Sequence, residues 1–90
     1  MPQYWGVKDS KREKFLKSFG IHLSKIRRQK KISQEQLSFD TGIDLSTISR
    51  IERGILNISI YNVSKIAKAL GVLCKDLHDF ETWATYICEK

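Results

Sequence analysis

Proline, cysteine and long apolar runs are scarce in this sequence, and each scarcity excludes a class of protein. Proline occurs only at position 2, so glycines rather than prolines punctuate the chain. The two cysteines, Cys74 and Cys88, are too few for a disulfide framework, and we expect both to be reduced thiols. No apolar run reaches the length of a membrane span, and residues 1–11 lack the features of a signal peptide. These absences predict a cytoplasmic protein without a membrane partner.

Basic residues outnumber acidic ones and concentrate in the first third of the chain. The sequence has 16 Lys and Arg against 10 Asp and Glu, for a net charge of +6. Ten of the sixteen basic residues lie between Lys8 and Lys31, where the only acids are Asp9 and Glu13. A clustered basic face is typical of a protein with a nucleic-acid partner. A solvated helix face has the same composition, so charge alone leaves both interpretations open.

The hydrophobic content of 41% in 90 residues predicts one domain with one modest core. A first helix is expected at about residues 11–30, with Ser10 as its cap and Glu13 in a capping-box position. Apolar residues recur along it at helical spacing: Phe15, Phe19, Leu23 and Ile26, flanked by Leu16. Gly20 weakens this helix by about 1 kcal/mol relative to alanine, but it can allow a neighbouring element to approach closely.

Two shorter helices follow, separated by a glycine turn. The first starts after Ser33, where Gln36 completes an S-x-x-Q capping box, and it ends before Gly42, which can adopt positive φ. The second is expected over residues 45–53, with Asp44 as its N-cap. Its Ile48 and Ile51, three positions apart, face the core.

The last third of the chain predicts two more helices and an ambiguous tail. Ser59 caps a fourth helix whose apolar stripe ends before Gly71: Ile60, Val63, Ile66, Ala67 and Leu70. A short fifth helix is expected over residues 74–79, with Leu77 buried. For residues 80–90, apolar spacing favours a helix, although the β-branched and aromatic content also suits a strand.

The second and third helices, joined by a four-residue turn with a glycine, have the pattern of a helix-turn-helix. In such a pair the second helix lies in the major groove and reads base edges with its outward residues. With Ile48 and Ile51 inward, Ser46, Ser49, Arg50 and Arg53 point outward. Arg50 can donate two parallel hydrogen bonds to a guanine. The alternative, a polar surface helix with no ligand, is less consistent with the caps, the turn glycine and the basic charge.

Three segments carry a resemblance to a known family: S-Q-E-x-L at residues 33–37, T-I-S-x-I-E-x-G at 47–54 and I-A-K-A-L-G-V at 66–72. In this order and spacing they resemble the Xre/Cro/CI family of phage-repressor-like transcriptional regulators over about residues 19–80. The resemblance implies an all-α fold, a compact five-helix lambda-repressor-like DNA-binding domain with a short C-terminal extension. The chain is then divided into an arm at 1–9, a domain at 10–80 with its motif at 33–53, and an extension at 81–90.

The resemblance also implies roles for individual residues. The base-reading positions of the family fall on Asp44, Leu45, Ser46 and Arg50. The backbone-contact positions of the family fall on Gln34, Thr47, Arg53 and the start of the fourth helix near Ser59. Apart from the resemblance, we also expect the outward Ser49 and the basic Lys25 and Arg28 of the first helix at the DNA backbone. A structural ion pair is implied between Arg27 and Glu52, and we expect it to be partly buried.

Two positions depart from the family pattern. Where the family often has proline before the fourth helix, this chain has Ile58, so the entering loop can differ. Where it usually has glycine before the I-S-Q-E segment, this chain has Lys31. That lysine adds charge close to the predicted DNA face, and neither departure threatens the fold.

The sequence gives little indication of a metal site or a catalytic site. Cys74 and His78 are one helical turn apart, but no C-x-x-C or H-x-x-x-H occurs and His22 is distant in sequence, so we predict neither a metal nor a cofactor. The sequence has no nucleophile elbow or phosphate-binding glycine loop, and we predict no enzyme activity.

The predicted function is that of a prokaryotic, dimeric repressor on a pseudo-palindromic operator in double-stranded DNA. An antitoxin is an alternative: the tail at residues 80–90 would then cover a toxin partner, and the DNA-binding part would autoregulate the operon. A controller protein of a restriction-modification system is another. The aromatic pairs Tyr4–Trp5 and Trp83–Tyr86 suit either coverage of the core edge or, for the C-terminal pair, a dimer contact.

Overall fold

The computed structural model describes residues 10–78, and all regular structure within that range is α-helical. The helices are α1 (Ser10–Gln29), α2 (Gln34–Thr41), α3 (Leu45–Glu52), α4 (Ile60–Leu70) and α5 (Cys74–Leu77). The predicted all-α, five-helix fold is therefore confirmed. None of these helices has the length and apolar character that crossing a membrane requires. The predicted arm at 1–9 and extension at 81–90 lie outside the described residues.

Helix α1 begins one residue earlier than its sequence predicts, so Ser10 lies inside the helix rather than capping it. The side chains of Leu16, Phe19 and Leu23 are buried, whereas Phe15 is only half-buried. The buried stripe of α1 thus runs through Leu16, Phe19 and Leu23 rather than starting at Phe15. The reason is geometric, since a 3.6-residue period places positions 16, 19 and 23 on one face.

Helix α2 starts at the predicted cap. The Ser33 hydroxyl accepts a hydrogen bond from the Gln36 amide at 3.0 Å, which satisfies one of the free N–H groups of the first turn. The Gln36 side chain donates to the Asp40 carboxylate, 2.8 Å away and one turn later. Of the two hydrogen bonds expected in the capping box, the one to the Ser33 hydroxyl is present. The Gln36 side chain bonds to Asp40 instead of turning back to Ser33.

The turn between α2 and α3 is held by side chains that the sequence alone did not single out. Gly42 has φ of 77° and ends α2 in the left-handed conformation, as its sequence predicts. The buried Thr41 hydroxyl donates to the Leu37 carbonyl at 2.7 Å and accepts from the Ile43 amide at 3.1 Å. The Ser38 hydroxyl donates to the Ile43 carbonyl at 2.6 Å. These bonds make the turn a rigid joint between two helices.

The caps of α4 agree with prediction, while one apolar position does not. The Ser59 hydroxyl accepts from the Asn62 amide at 3.1 Å, and Gly71 closes the helix with φ of 72°. Ile60, expected within the buried stripe, is 87% exposed. It is the first residue of α4. Helix α5 ends at Leu77, earlier than the predicted Asp79, with His78 as its C-cap.

One core joins all five helices. Its buried members come from α1 to α5 and from the turn between α2 and α3: Phe19, Leu23, Leu37, Ile43, Ile48, Ile51, Val63, Ile66, Ala67, Leu70 and Leu77. Helix α3 lies against both α1 and α2, and α4 packs on α2 and α5. The predicted inward positions Ile48 and Ile51 are 0% and 1% exposed, so the orientation of α3 about its own axis is set by this core.

Candidate nucleic-acid interface

The outer face of α3 presents four exposed residues, called the polar row below: Asp44, Leu45, Ser46 and Arg50. Thr47 and Ser49 are half-buried. Because Ile48 and Ile51 anchor the opposite face, this row is held in a fixed direction. The structure therefore brings the four sequence-predicted base-reading residues together on one surface. Thr47 and Ser49 lie at its margins.

Asp44 occupies the N-cap position of α3, yet its side chain makes no capping hydrogen bond. The sequence correctly predicted that Asp44 occupies the N-cap position of α3, but the expected hydrogen bond from its side chain to the helix is absent. Its exposed carboxylate therefore adds an acceptor to the outer surface of α3. The polar row contains an acceptor at its N-terminal end and a guanidinium donor, Arg50, in its second turn.

A buried ion pair fixes α3 to α1. The Arg27 Nε donates to the Glu52 Oε2 at 2.7 Å, and its Nη2 donates to the Oε1 at 3.1 Å. The side chains are 10% and 6% exposed, so the pair is largely withdrawn from water. A third donor of the same guanidinium, Nη1, reaches the Ile32 carbonyl at 2.8 Å. This two-pronged geometry is the strong form of an arginine–carboxylate contact.

Gln34 extends this ion pair to α2. Its Nε2 donates to the Glu52 Oε1 at 2.9 Å. The side-chain amide of Gln34, predicted to contact the DNA backbone, thus also supports the carboxylate that orients α3. No signal in the sequence could have shown this bond, because the two residues are 18 positions apart. One carboxylate therefore connects the first three helices.

Two glycines allow α1 to lie directly on the end of α3. A Cβ placed on Gly20 would stand 2.5 Å from the carbonyl oxygens of Ile51 and Glu52. A Cβ on Gly54 would stand 2.5 Å from the Cα of Lys17. These distances leave no room for a side chain. The expectation that Gly20 permits a close approach is confirmed, and the contact at Gly54 is a structural finding that the sequence did not predict.

Exposed cations line two grooves between α1 and the C-terminal end of α3. Lys25 and Arg28 are exposed and line a surface groove with Glu52. Arg53 lines a second groove with Arg12 and Lys17. It was predicted as the last residue of α3, but it is the C-cap of that helix. Ser59 is exposed at the start of α4.

His22 and His78 take part in the packing between the middle of α1 and α5, whereas Cys74 is an exposed free thiol. The His22 Nε2 lies 2.7 Å from the Asp76 carbonyl oxygen, a contact that ties α1 to α5. The His78 ring lies 5.5 Å from the Phe19 ring, centroid to centroid, and its Nδ1 is 3.3 Å from the Cys74 carbonyl oxygen. Within residues 10–78, no three His, Cys, Asp or Glu side chains are grouped for a metal ion. Cys88 and the aromatic pairs at residues 4–5 and 83–86 lie outside the described part of the chain.

Comparisons with known proteins match this architecture. The helix-turn-helix family model matches residues 23–77. Control protein C.BamHI of Bacillus amyloliquefaciens is 49% identical over 65 residues, which cover 71% of this chain and 80% of that protein. Control protein C.MunI of a Mycoplasma species is 37% identical over 60 residues, covering 66% of this chain and 81% of that protein. A crystal structure of the restriction-modification controller protein C.AhdI from Aeromonas hydrophila matches with a TM-score of 0.68 and 40% identity, covering 69% of this chain and 94% of that one.

The family match runs from the second half of α1 to the end of α5 and contains the whole two-helix motif. It includes the rigid turn, the ion pair and the polar row of α3. The resemblance carried by the three sequence segments is thereby confirmed. The chain belongs to the Xre-type helix-turn-helix family of DNA-binding transcriptional regulators.

Proposed function

We propose that this protein is the controller of a restriction-modification system, acting as a homodimer that reads a pseudo-palindromic operator with α3. One observation supports the proposal that α3 reads DNA. Its exposed polar row lies on a helix that the core and the Arg27–Glu52 pair hold in place. The assignment to the controller class is supported by the similarity to C.BamHI and C.MunI, which are named control proteins, and to C.AhdI, which is named a restriction-modification controller protein.

In this proposal the row on α3 supplies the base contacts. Arg50 donates to the O6 and N7 of a guanine, the commonest specific contact in the major groove. Asp44 accepts from a cytosine amino group, Leu45 contacts a thymine methyl, and Ser46 bonds to either kind of base edge. Exposure of all four side chains and burial of the opposite face of α3 are the features that suit them to this task.

The DNA backbone is contacted by residues around that row. The free amides at the start of α2 and the partial positive charge of the helix end favour a phosphate beside Gln34. Phosphates next to it are contacted by Thr47, Ser49, Arg53 and Ser59, and by Lys25 and Arg28 on α1. Such contacts place the protein in register but carry no sequence information themselves.

A homodimer is proposed because a single short helix reads only a few base pairs. Two copies related by a two-fold axis would set their α3 helices about 34 Å apart, one turn of DNA. Bound over a promoter, the dimer would repress by occlusion. Bound beside a promoter, it could activate, so the sign of regulation follows from the position of the operator.

The experiment that tests this is selection of binding sites from a random duplex library with the purified protein in moderate salt. The expected result is enrichment of a motif with two-fold symmetry, whose matches lie upstream of restriction or methyltransferase genes or of the gene for this protein. Light scattering should give the mass of a dimer. A monomer that enriches no motif would contradict the proposal. If symmetric sites were found only upstream of unrelated genes, the protein would still be a dimeric regulator, but the proposed controller role would be contradicted.

A further inference from the structure

Lys31 is the one non-glycine residue with positive φ among residues 10–78, at 62°. The other positive values in that range, 72° to 79°, belong to Gly42, Gly54 and Gly71. A side chain with a Cβ is disfavoured in this left-handed region, where only glycine and, less readily, asparagine or aspartate are common. Lys31 is therefore a strained residue in the connection between α1 and α2.

The backbone around Lys31 leaves it no other conformation. Its amide donates to the Arg28 carbonyl at 3.0 Å, and the Ile32 amide donates to the Arg27 carbonyl at 3.1 Å. The Arg27 guanidinium then donates to the Ile32 carbonyl at 2.8 Å, and Ile32 packs against the core. Bonds on both sides thus impose the left-handed turn, whatever side chain the residue carries.

The lysine side chain does not offset this strain within the described part of the protein. Lys31 is exposed, and between residues 10 and 78 no hydrogen bond or ion pair of its ammonium group occurs. Strained residues persist where their position serves a function.

Lys31 lies two residues before Ser33, the cap of α2. The free amides in the first turn of that helix favour a phosphate. Arg28, in the last turn of α1, and Lys30, on the same connection as Lys31, are both exposed. Lys31 thus adds a third cation to the short stretch of chain that leads into the helix end at which the DNA backbone is proposed to lie.

We propose that Lys31 is a phosphate-contacting residue, and that the strain of its backbone is retained because a cation is needed there. This inference rests on the proposed DNA-binding function. It predicts a contribution to affinity on any duplex sequence, since a phosphate contact reads no bases. Glycine at this position would relieve the strain and lose the contact, so stability and affinity should change in opposite directions.

The test uses Lys31→Gly and Lys31→Asn in the full chain, with Lys68→Gln, which neutralises an exposed lysine of α4, as the matched control. Thermal unfolding and binding to the selected operator and to a scrambled duplex are measured at several salt concentrations. We expect Lys31→Gly to melt higher than the wild type. Both Lys31 variants should bind both duplexes about threefold to tenfold more weakly, with a salt slope smaller by about one per subunit, or about two for the homodimer. Lys68→Gln should match the wild type in both assays.

Two results would overturn the inference. Wild-type affinity and salt slope in both Lys31 variants would show that the ammonium contacts no phosphate. A lower melting temperature for Lys31→Gly would show that the lysine stabilises the fold itself. Failure of the proposed function is distinguishable from either, because the wild type would then select no operator at all.

Discussion

At the scale of single residues, Glu52 connects three helices through one carboxylate. It accepts from Arg27 on α1 at 2.7 and 3.1 Å and from Gln34 on α2 at 2.9 Å. Because the Arg27 side chain is only 10% exposed, removing Glu52 leaves a guanidinium charge with little water to solvate it. A buried charge without its partner is costlier than the pair is favourable.

The first prediction concerns this carboxylate. Glu52→Ala should lower the free energy of unfolding by about 3 kcal/mol, because it strands the Arg27 charge. Glu35→Ala, which removes an exposed carboxylate from the first turn of α2, should cost less than about 1 kcal/mol. Urea unfolding followed by circular dichroism measures both. Equal losses in the two variants would mean that the Arg27–Glu52 pair contributes no more than a surface charge does.

The second prediction concerns base reading. Arg50→Ala should weaken binding to the selected operator by about 1–3 kcal/mol per half-site, with specificity relaxed at one base position. Since Arg50 is exposed and outside the core, the melting temperature should stay close to that of the wild type. Repeating the site selection with the variant is the measurement. An unchanged motif would remove Arg50 from the base-reading set.

At the scale of elements, the contact between α1 and the end of α3 orients the outer face of α3. The two helices touch through backbone rather than side chains, because Gly20 meets the carbonyls of Ile51 and Glu52 and Gly54 meets the Cα of Lys17. A contact between main chains is less adaptable than one between flexible side chains. The angle at which α3 presents its polar row is accordingly sensitive to these two glycines.

A pair of substitutions isolates this contact. Gly54 and Gly42 have almost the same φ, 79° and 77°, but only the first has neighbours within 4 Å of an added Cβ. Gly42→Ala should therefore cost only the backbone penalty, about 1–2 kcal/mol. Gly54→Ala adds a clash with the backbone of α1 and should cost about 2 kcal/mol more than that, in the range of overpacked cores. Chemical denaturation compares the two, and equal costs would contradict a tight α1–α3 contact.

At the scale of the whole molecule, the uneven charge is the dominant property. The net charge is +6, and the exposed cations Lys25, Arg28, Lys30 and Lys31 lie together at the end of α1 and the start of the following loop. A protein that neutralises phosphates in this way releases counterions from DNA, so its affinity depends on salt.

The prediction at this scale is a steep salt response. If a dimer contacts about 6–10 phosphates, affinity should fall by about 10³–10⁵ between 50 and 200 mM salt. Fluorescence anisotropy with labelled duplex measures it. Thermal unfolding over the same salt range serves as the control for changes in the fold. A flat binding curve would contradict the proposed backbone contacts.

Several local features of this protein follow from its sequence alone, although the cap of α1 and the capping bond of Asp44 do not. The caps Ser33 and Ser59, the glycine turns at 42 and 71, and the inward pair Ile48 and Ile51 depend on residues within a few positions of one another. Capping, positive φ and helical periodicity act over that range. The sequence thus determined the type and order of the helices and which face of α3 is exposed.

The contacts that position α3 were decided by the tertiary structure. The bond between Gln34 and Glu52, the approach of Gly54 to Lys17 and the exposure of Ile60 all depend on how separate helices come together. No local pattern encodes them, and the Arg27–Glu52 pair was predicted only through family resemblance. The physical reason is that these are distances between elements, which exist only once the core has set the helices against one another.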